Sequence, residues 1–382
     1  MVIVRAPVRI SFGGGGTDLP AYYRRYGGLV VSAAIDRYAY VVARRPVDGG
    51  VHLASANYGR WEHHPPGRRP PLTGPLALPR AAVAWFAEAG LLAEGVDLFV
   101  ASEVPPGTGL GSSSAVAVAL TQALSAYAGL PLAPGAAAEI ACGLEIDRLG
   151  MPIGKQDQYA SAFGRLNVIE FAADGVRVQP LGLPGDVAAA LAARLLLFST
   201  GRTRHAARLL AQQRADTETR PATIAALHRL KALAAAMAEA LTAHDLDRFG
   251  CLLDRAWQAK QRVSRRVSTP EIDRWYAAAR EAGALGGKIT GAGGGGFLLL
   301  YCPPRRQGEL RAALAALGLR ELRFAFDHDG ARLIADPEAT GSPIAGTAHF
   351  AGRGGACRME HRPVWHSGSA GGDKPPDRSH SG

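Results

Sequence analysis

Cysteine is scarce in this chain: Cys142, Cys251, Cys302 and Cys357 are the only four in 382 residues, far apart and without a CxxC pair. Such a set builds neither a zinc cage nor a disulfide framework. No apolar run approaches the roughly 18 residues that span a membrane. The opening MVIVRAPVRISF has arginines inside its apolar stretch and no small-residue cleavage site, so a secretory signal is not expected. Lysine is also rare, at 155, 231, 260, 288 and 374 only, which leaves 38 arginines among 43 basic residues. A formal charge of +10 suggests a polyanion partner, but the bases are scattered among 33 acids with no dense run. The arginine bias, with abundant Ala, Gly and Pro, matches a GC-rich coding bias. A soluble cytoplasmic protein that recognises an anionic small molecule is expected, with neither nucleic acid nor membrane as partner.

What is present is a chain that is 47% hydrophobic, enough for a substantial core. Residues 1–12 and 28–45 read as strands around a glycine loop, and Val51–Ser55 as a short strand within an irregular Pro/Gly/His/Arg segment, 46–80. A helix is expected at Ala81–Ala89, a strand at Val96–Ser102, and helices at Ser112–Ala128 and 134–149. A hairpin follows at Leu166–Phe171 and Val176–Leu181, then a strand at Leu195–Ser199 and an almost wholly helical stretch over 203–282. Leu285–Tyr301 reads as strand, glycine loop, strand; a helix at Leu310–Leu317 and a strand at Leu322–Phe326 close the pattern. The fold class is α+β with a helical second half and a boundary near 190. Beyond 336 the composition turns to Gly, Ser, Pro, Arg and His without periodicity, as in a disordered tail.

Three glycine loops carry the chemistry. Loop one, Phe12–Asp18, places four consecutive glycines, including Gly15 and Gly16, before Thr17 and Asp18; the carboxylate there suits sugar hydroxyls or a helix cap. Loop two, Pro105–Ser114, runs into a helix. Glycine at 107, 109 and 111, interleaved with Thr108 and Leu110, offers free N–H donors at a positive dipole end, a phosphate cradle. Ser112, Ser113 and Ser114 would cap that helix or ligate a nucleotide-borne Mg²⁺. Loop three, Gly286–Gly296, fits GxGxxG as letters. It leads into the strand-like Phe297–Tyr301 rather than a helix, and Lys288 is followed by Ile289, so neither a dinucleotide turn nor a Walker A loop results. Between loops two and three, Gly154–Tyr159 is a dense polar run after a helix that carries Glu145. Asp157 within it is either structural or a base or metal-bound carboxylate.

In order and spacing these loops resemble the three motifs of the GHMP small-molecule kinases over roughly residues 1–335. PPGTGLGSSSA is the most specific of them. RAPVRISFGGGGTDLPAYYRRYGG, MPIGKQDQYASAFG and GGKITGAGGGGF most resemble the heptose-phosphate kinase branch, which phosphorylates an anomeric hydroxyl. The resemblance implies a two-domain fold: 1–190 as an ATP-binding domain of the ribosomal protein S5 domain 2-like type, 191–335 as a ferredoxin-like helical and β domain, and 336–382 as the tail. It implies ATP and Mg²⁺, with Asp157 as catalytic base or acceptor-orienting charge and Arg9 beside the transferred phosphoryl. Pro106, Gly107, Thr108, Gly109, Leu110, Gly111, Ser112, Ser113 and Ser114 would hold ATP. Ser113 and Glu145 would hold the metal. Gly15, Gly16, Thr17, Asp18, Gly293, Gly294 and Arg204 would meet the sugar, with Arg202 and Arg204 either on a substrate phosphate or capping a helix. The implied partner is a small-molecule sugar phosphate, with a homodimer left open. A 1-kinase for another sugar (free heptose, fucose or hexose) and a non-catalytic sugar sensor remain as alternatives. HLASANYGRWEHHPPGRRPPLTG, from residue 52, departs from the expected pattern and leaves the adenine pocket unassigned.

Overall fold

The structure, a computed structural model, describes residues 1–67, 70–92, 94–202, 206–263 and 267–335. The tail expected at 336–382 and the substrate contact expected of Arg204 lie outside the described residues. Runs of β-branched and aromatic residues form the two longest strands, β1 (Val2–Gly13) and β2 (Gly28–Arg44), joined through loop one and the short helix α1 (Pro20–Tyr26). A hairpin, β3 (Val51–Ser55) and β4 (Arg60–His64), helix α2 (Ala77–Glu88) and strand β5 (Val96–Ser102) follow. Loop two enters α3 (Ser112–Tyr127). Next comes α4 (Pro134–Cys142), which runs on as a π-helical segment over Gly143–Arg148, then α5 (Gln156–Phe163) and the hairpin β6 (Leu166–Ala172) and β7 (Gly175–Pro180).

The remainder begins with α6 (Gly185–Ala192) and β8 (Leu195–Ser199). The helices α7 (Ala206–Thr219), α8 (Pro221–Thr242), α9 (Leu246–Val263) and α10 (Pro270–Glu281) come next. Thr269 caps α10 by accepting from Ile272 N, with Pro270 in the first turn beside Glu271 and Asp273. Loop three joins β9 (Gly286–Ile289) to β10 (Phe297–Tyr301), and α11 (Gln307–Ala316), β11 (Arg320–Glu321) and β12 (Arg332–Ala335) end the described chain.

One sheet runs β12-β1-β2-β5-β3-β4 and the other β11-β8-β10-β9. At 17 residues β2 serves two partners besides β1, pairing β6 along Gly28–Ala33 and β5 along Ala39–Arg44. The two sheets share a core: Val8, Ile10 and Phe12 of β1 pack in one cluster with Leu197, Leu299 and Tyr301 of the second sheet and with Leu230, Leu233, Phe249 and Leu253 of α8 and α9. On the opposite side, Val4, Ala6 and Val41 pack with Val118, Leu120 and Leu124 of α3. Helix α3 is therefore apolar nearly all round, as a helix buried behind a sheet requires. The described residues form one compact unit.

Three local expectations change. Arg60–His64 is a strand that its polar letters, RWEHH, do not announce; β3 supplies its ladder. The helix expected over 134–149 switches to π-helical winding at Gly143. The strand expected at Leu322–Phe326 does not form: β8 pairs with Arg320–Glu321 just before it, the residues 322–326 keep a single bridge, Ile35 to Phe326, and the last described strand is β12 on β1.

Candidate active site

A cavity of about 350 Å³ opens where the three glycine loops meet the start of α5. Strand β1 positions Arg9, 3% exposed, whose backbone N–H donates to Leu110 O and so ties the strand to loop two. The guanidinium forks onto Asp157: Nε donates to Oδ1 at 2.8 Å and Nη2 to Oδ2 at 2.5 Å, while Nη1 donates to Gly109 O at 2.7 Å. Two of its five N–H groups remain for a ligand. Gly111, with φ at +77°, lets loop two pass this pair; a Cβ there would lie 3.2 Å from Asp157 Oδ2 and 3.4 Å from Arg9 Cγ.

Loops two and three interlock. A Cβ at Gly291 would lie 2.5 Å from Gly109 Cα, and Thr290 Oγ1 donates to Thr108 O at 3.3 Å. Loop three is thus a buttress for the phosphate-type loop as well as a wall of the cavity. Gly291 and Ala292 line the space, but Gly293 and Gly294 do not. This corrects their expected place at the sugar: both are buried against Val267, whose carbonyl accepts from Gly294 N at 2.7 Å.

Loop one brings Gly15, Gly16 and Asp18 to the cavity. Asp18 Oδ1 accepts from Gly16 N at 2.9 Å and Oδ2 from Gln156 N at 3.3 Å. Burial first, and then the charge of Asp157, raise its carboxyl above the ordinary range. Gly154 permits this approach, since a Cβ there would sit 2.0 Å from Asp18 Oδ2. Thr17 is no sugar ligand in this geometry. Its hydroxyl is buried, lies within donating distance of Gly14 O and Leu29 O for its one hydrogen, and accepts from Leu29 N, which pins the loop to β2.

In loop two, Pro106, Gly107, Gly109, Gly111 and the three serines line the cavity. Leu110 and Thr108 do not. The Leu110 side chain belongs to the core, and Thr108 Oγ1 donates to Pro105 O. Any hold they have on ATP is through the backbone. Ser112 Oγ is likewise held by Val104 O at 2.8 Å. Ser113 differs: its Oγ donates to Glu145 Oε1 at 2.6 Å, and Gln158 Nε2 donates to Oε2 at 2.6 Å. Glu145 is wholly buried, which raises its carboxyl above the ordinary range while the hydrogen bonds from Ser113, Ser114 and Gln158 pull it down. It sits in the π-helical segment, a winding frequent at functional sites. Gln158 Oε1 is buried without a hydrogen-bond partner. A hydroxyl and a carboxylate that line one cavity form an all-oxygen donor pair, which fits Mg²⁺.

Sequence reasoning missed Lys260, on α9, and Gln213, on α7, both of which line the cavity. Lys260 Nζ donates to Gly291 O. Burial, reinforced by the charge on Arg9, lowers its amine to about 8. Lys288, 5% exposed, donates to Ser11 O at 2.6 Å and Phe12 O at 3.3 Å and anchors β9 to the end of β1. Its amine is also lowered, by burial and then by Lys260 and Arg9. The available signal for Lys260 was lysine itself, in a chain that otherwise uses arginine. Arg202 lies elsewhere, exposed and paired with Glu271 at 2.5 Å. A second pocket of about 80 Å³ shares Tyr58, Pro106, Ser112 and Ser113 with the cavity and adds Ser55, Leu76, Pro79 and Val100.

Comparison with known proteins places this geometry. Residues 77–165 match the GHMP kinases N terminal domain and residues 223–318 the GHMP kinases C terminal model. The chain is 31% identical over 333 residues to D-glycero-alpha-D-manno-heptose 7-phosphate kinase of Campylobacter jejuni subsp. jejuni serotype O:2, covering 86% of this chain and 97% of that protein. The chain belongs to the GHMP kinases. It is also 30% identical to a galactokinase of Roseiflexus sp., covering 77% of this chain and 82% of that one. Among solved structures, a D-glycero-D-manno-heptose 1-phosphate kinase from Bacteroides thetaiotaomicron superposes with a TM-score of 0.73 at 26% identity, over 88% of this chain and 99% of that one. This GHMP kinase is therefore a sugar kinase, a phosphotransferase that uses ATP.

Proposed function

We propose that this GHMP kinase transfers the γ-phosphoryl group of ATP to the anomeric hydroxyl of a heptose, D-glycero-D-manno-heptose 7-phosphate, giving the 1,7-bisphosphate. The similarity to a heptose 7-phosphate kinase over 97% of that protein supports the choice of sugar. The observation that carries the chemistry is the Arg9–Asp157 fork, held in one cavity with Asp18 and loop two.

In this reading the backbone N–H groups of loop two hold the nucleotide phosphates, and the smaller pocket beside Tyr58 takes the base. Asp18 accepts from sugar hydroxyls. Asp157 orients the acceptor hydroxyl. The hydroxyl oxygen of the sugar bonds to the γ-phosphorus, the bond from that phosphorus to the β,γ-bridging oxygen breaks and ADP departs; Asp157 takes up the hydroxyl proton late in the step. Phosphoryl transfer asks little covalent chemistry of the protein, so orientation is the larger contribution of Asp157. Arg9, through its two free N–H groups, and Lys260 offset the charge on the phosphoryl oxygens. Ser113 and Glu145 would hold Mg²⁺, with Gln158 steadying Glu145; the ion when bound neutralises phosphate charge.

The same reading keeps a division near residue 190, with a nucleotide-binding half at 1–190 and a second half at 191–335. It places the enzyme in the cytoplasm; separately, no described helix is long and apolar enough to cross a membrane. ADP release against a panel of heptoses and hexoses, with and without a terminal phosphate, tests the proposal. Turnover confined to a heptose 7-phosphate is expected. Turnover on another sugar alone would replace the acceptor, and binding of ATP and sugar without turnover would replace the enzyme with a sensor.

A further inference from the structure

The segment that departs from the family pattern brings two histidines together with Asp48, which precedes it, away from the cavity. His52 on β3 and His63 on β4 are direct cross-strand partners, with ring centroids 4.6 Å apart. Asp48, in the turn before β3, reaches both: its Oδ2 lies 3.0 Å from His52 Nε2 and 3.1 Å from His63 Nε2. One ligand atom from each of the three residues lies within 4.8 Å of the other two.

The surroundings orient these atoms. His52 Nδ1 lies 3.1 Å from Asp97 Oδ1 on β5, and Arg44 Nε donates to the other Asp97 oxygen at 2.8 Å. Asp97 Oδ1 is buried with no hydrogen-bond partner of its own, and a metal on His52 Nε2 would leave the Nδ1 proton to face it. Gly50 N donates to Asp48 Oδ1 at 2.9 Å, which leaves Oδ2 to the imidazoles. Gly50 also keeps the space open, because a Cβ there would stand 2.9 Å from His63 Nε2 and 3.2 Å from Asp48 Oδ1. Tetrahedral bonds of 2.0–2.1 Å put neighbouring ligand atoms about 3.3 Å apart. The observed 3.0 and 3.1 Å are within a few tenths of an ångström of that spacing.

We propose that Asp48, His52 and His63 bind one divalent transition-metal ion, Zn²⁺ by preference, with a fourth position open to water. Two imidazoles and one carboxylate suit zinc, cobalt or nickel and disfavour Mg²⁺, which takes oxygen ligands and well-ordered octahedral geometry. The site is thus separate in place and in chemistry from the all-oxygen set at Ser113 and Glu145. It clamps the open end of the β3–β4 hairpin, whose turn carries Tyr58 to the cavity.

The test uses the full chain stripped with a chelator. Zn²⁺ is titrated against a chromophoric competitor in the native protein, in a His52→Ala/His63→Ala variant and in Asp97→Asn. The histidines at 349, 361, 366 and 380 are common to all three, so the difference belongs to the hairpin. One extra equivalent of Zn²⁺ is expected in the native chain and none in the double variant, with affinity lowered about 10–100-fold in Asp97→Asn. Co²⁺ added to the native chain should give visible d–d absorption that Zn²⁺ displaces and the single variant His63→Ala lacks. Equal stoichiometry in native and double-variant protein would overturn the proposal. If the double variant does not fold, equal Co²⁺ spectra in the native chain and His63→Ala would overturn it.

Discussion

Asp157→Asn removes one charge while keeping the size of the side chain, and the structure sets its consequences. The carboxylate takes two guanidinium contacts from Arg9, at 2.8 and 2.5 Å. An amide offers one oxygen, so one contact survives and the other sets N–H against N–H. Removing one partner of a fully buried pair destabilises by about 3–5 kcal/mol. Here Arg9 is buried but the Asp157 side chain is 23% exposed, and its Gly109 contact persists, so a loss nearer about 1–3 kcal/mol is expected. The chemical step loses both the orienting charge and the proton acceptor. That is about 10²–10⁴-fold in kcat, or roughly 3–5 kcal/mol of transition-state stabilisation. ATP affinity should hold or improve slightly, because a negative charge leaves the phosphate site. Coupled ADP release gives kcat, calorimetry with a non-hydrolysable ATP analogue gives Kd, and a thermal melt gives stability. A kcat within threefold of wild type would refute the assigned role. Loss of nucleotide binding in step with kcat would make Asp157 a scaffold for Arg9 instead.

Ser113→Ala removes the donor on Glu145 Oε1 and one oxygen of the Mg²⁺ set. Its half-saturating Mg²⁺ concentration should rise roughly tenfold or more, and an unchanged titration would remove Ser113 from the metal site. Gly291→Ala sets a Cβ 2.5 Å from Gly109 Cα at a φ of +62°, so about 1–3 kcal/mol of stability should go, and ATP affinity with it. A normal melting curve and normal ATP affinity would show that the two loops are not coupled. Lys260 loses its charge in the free enzyme as pH rises through about 8. The alkaline limb of kcat/KM should therefore fall near that pH, move higher in kcat once anionic substrates are bound, and disappear in Lys260→Arg. Its amine is lowered from 10.5, so its contribution to folding stability rises with pH between about 8 and 10. A wild-type profile flat to pH 9.5 would remove Lys260 from substrate binding.

What could be read in the sequence follows from the range of the interactions involved. Loop two and the strands around it were legible because glycine spacing and apolar alternation are local. Glu145 was placed on a helix, but a six-residue stretch, GLEIDR, does not separate π from α winding. Thr17, Gly293 and Gly294 sit inside the right motifs and still face away from the cavity. Their partners, Leu29 and Val267, come from other parts of the chain. Lys260 reaches the site only because α9 packs across both sheets, and the His52–His63 pair exists only once β3 and β4 are in register.

Phosphorus NMR of an incubation with ATP, Mg²⁺ and D-glycero-D-manno-heptose 7-phosphate tests the central claim most directly. The expected spectrum loses the γ-phosphate of ATP and gains one phosphomonoester resonance coupled to the anomeric proton, with the 7-phosphate resonance retained. A spectrum in which ATP stays intact, or in which the new phosphate is coupled to any other carbon's proton, would contradict the account.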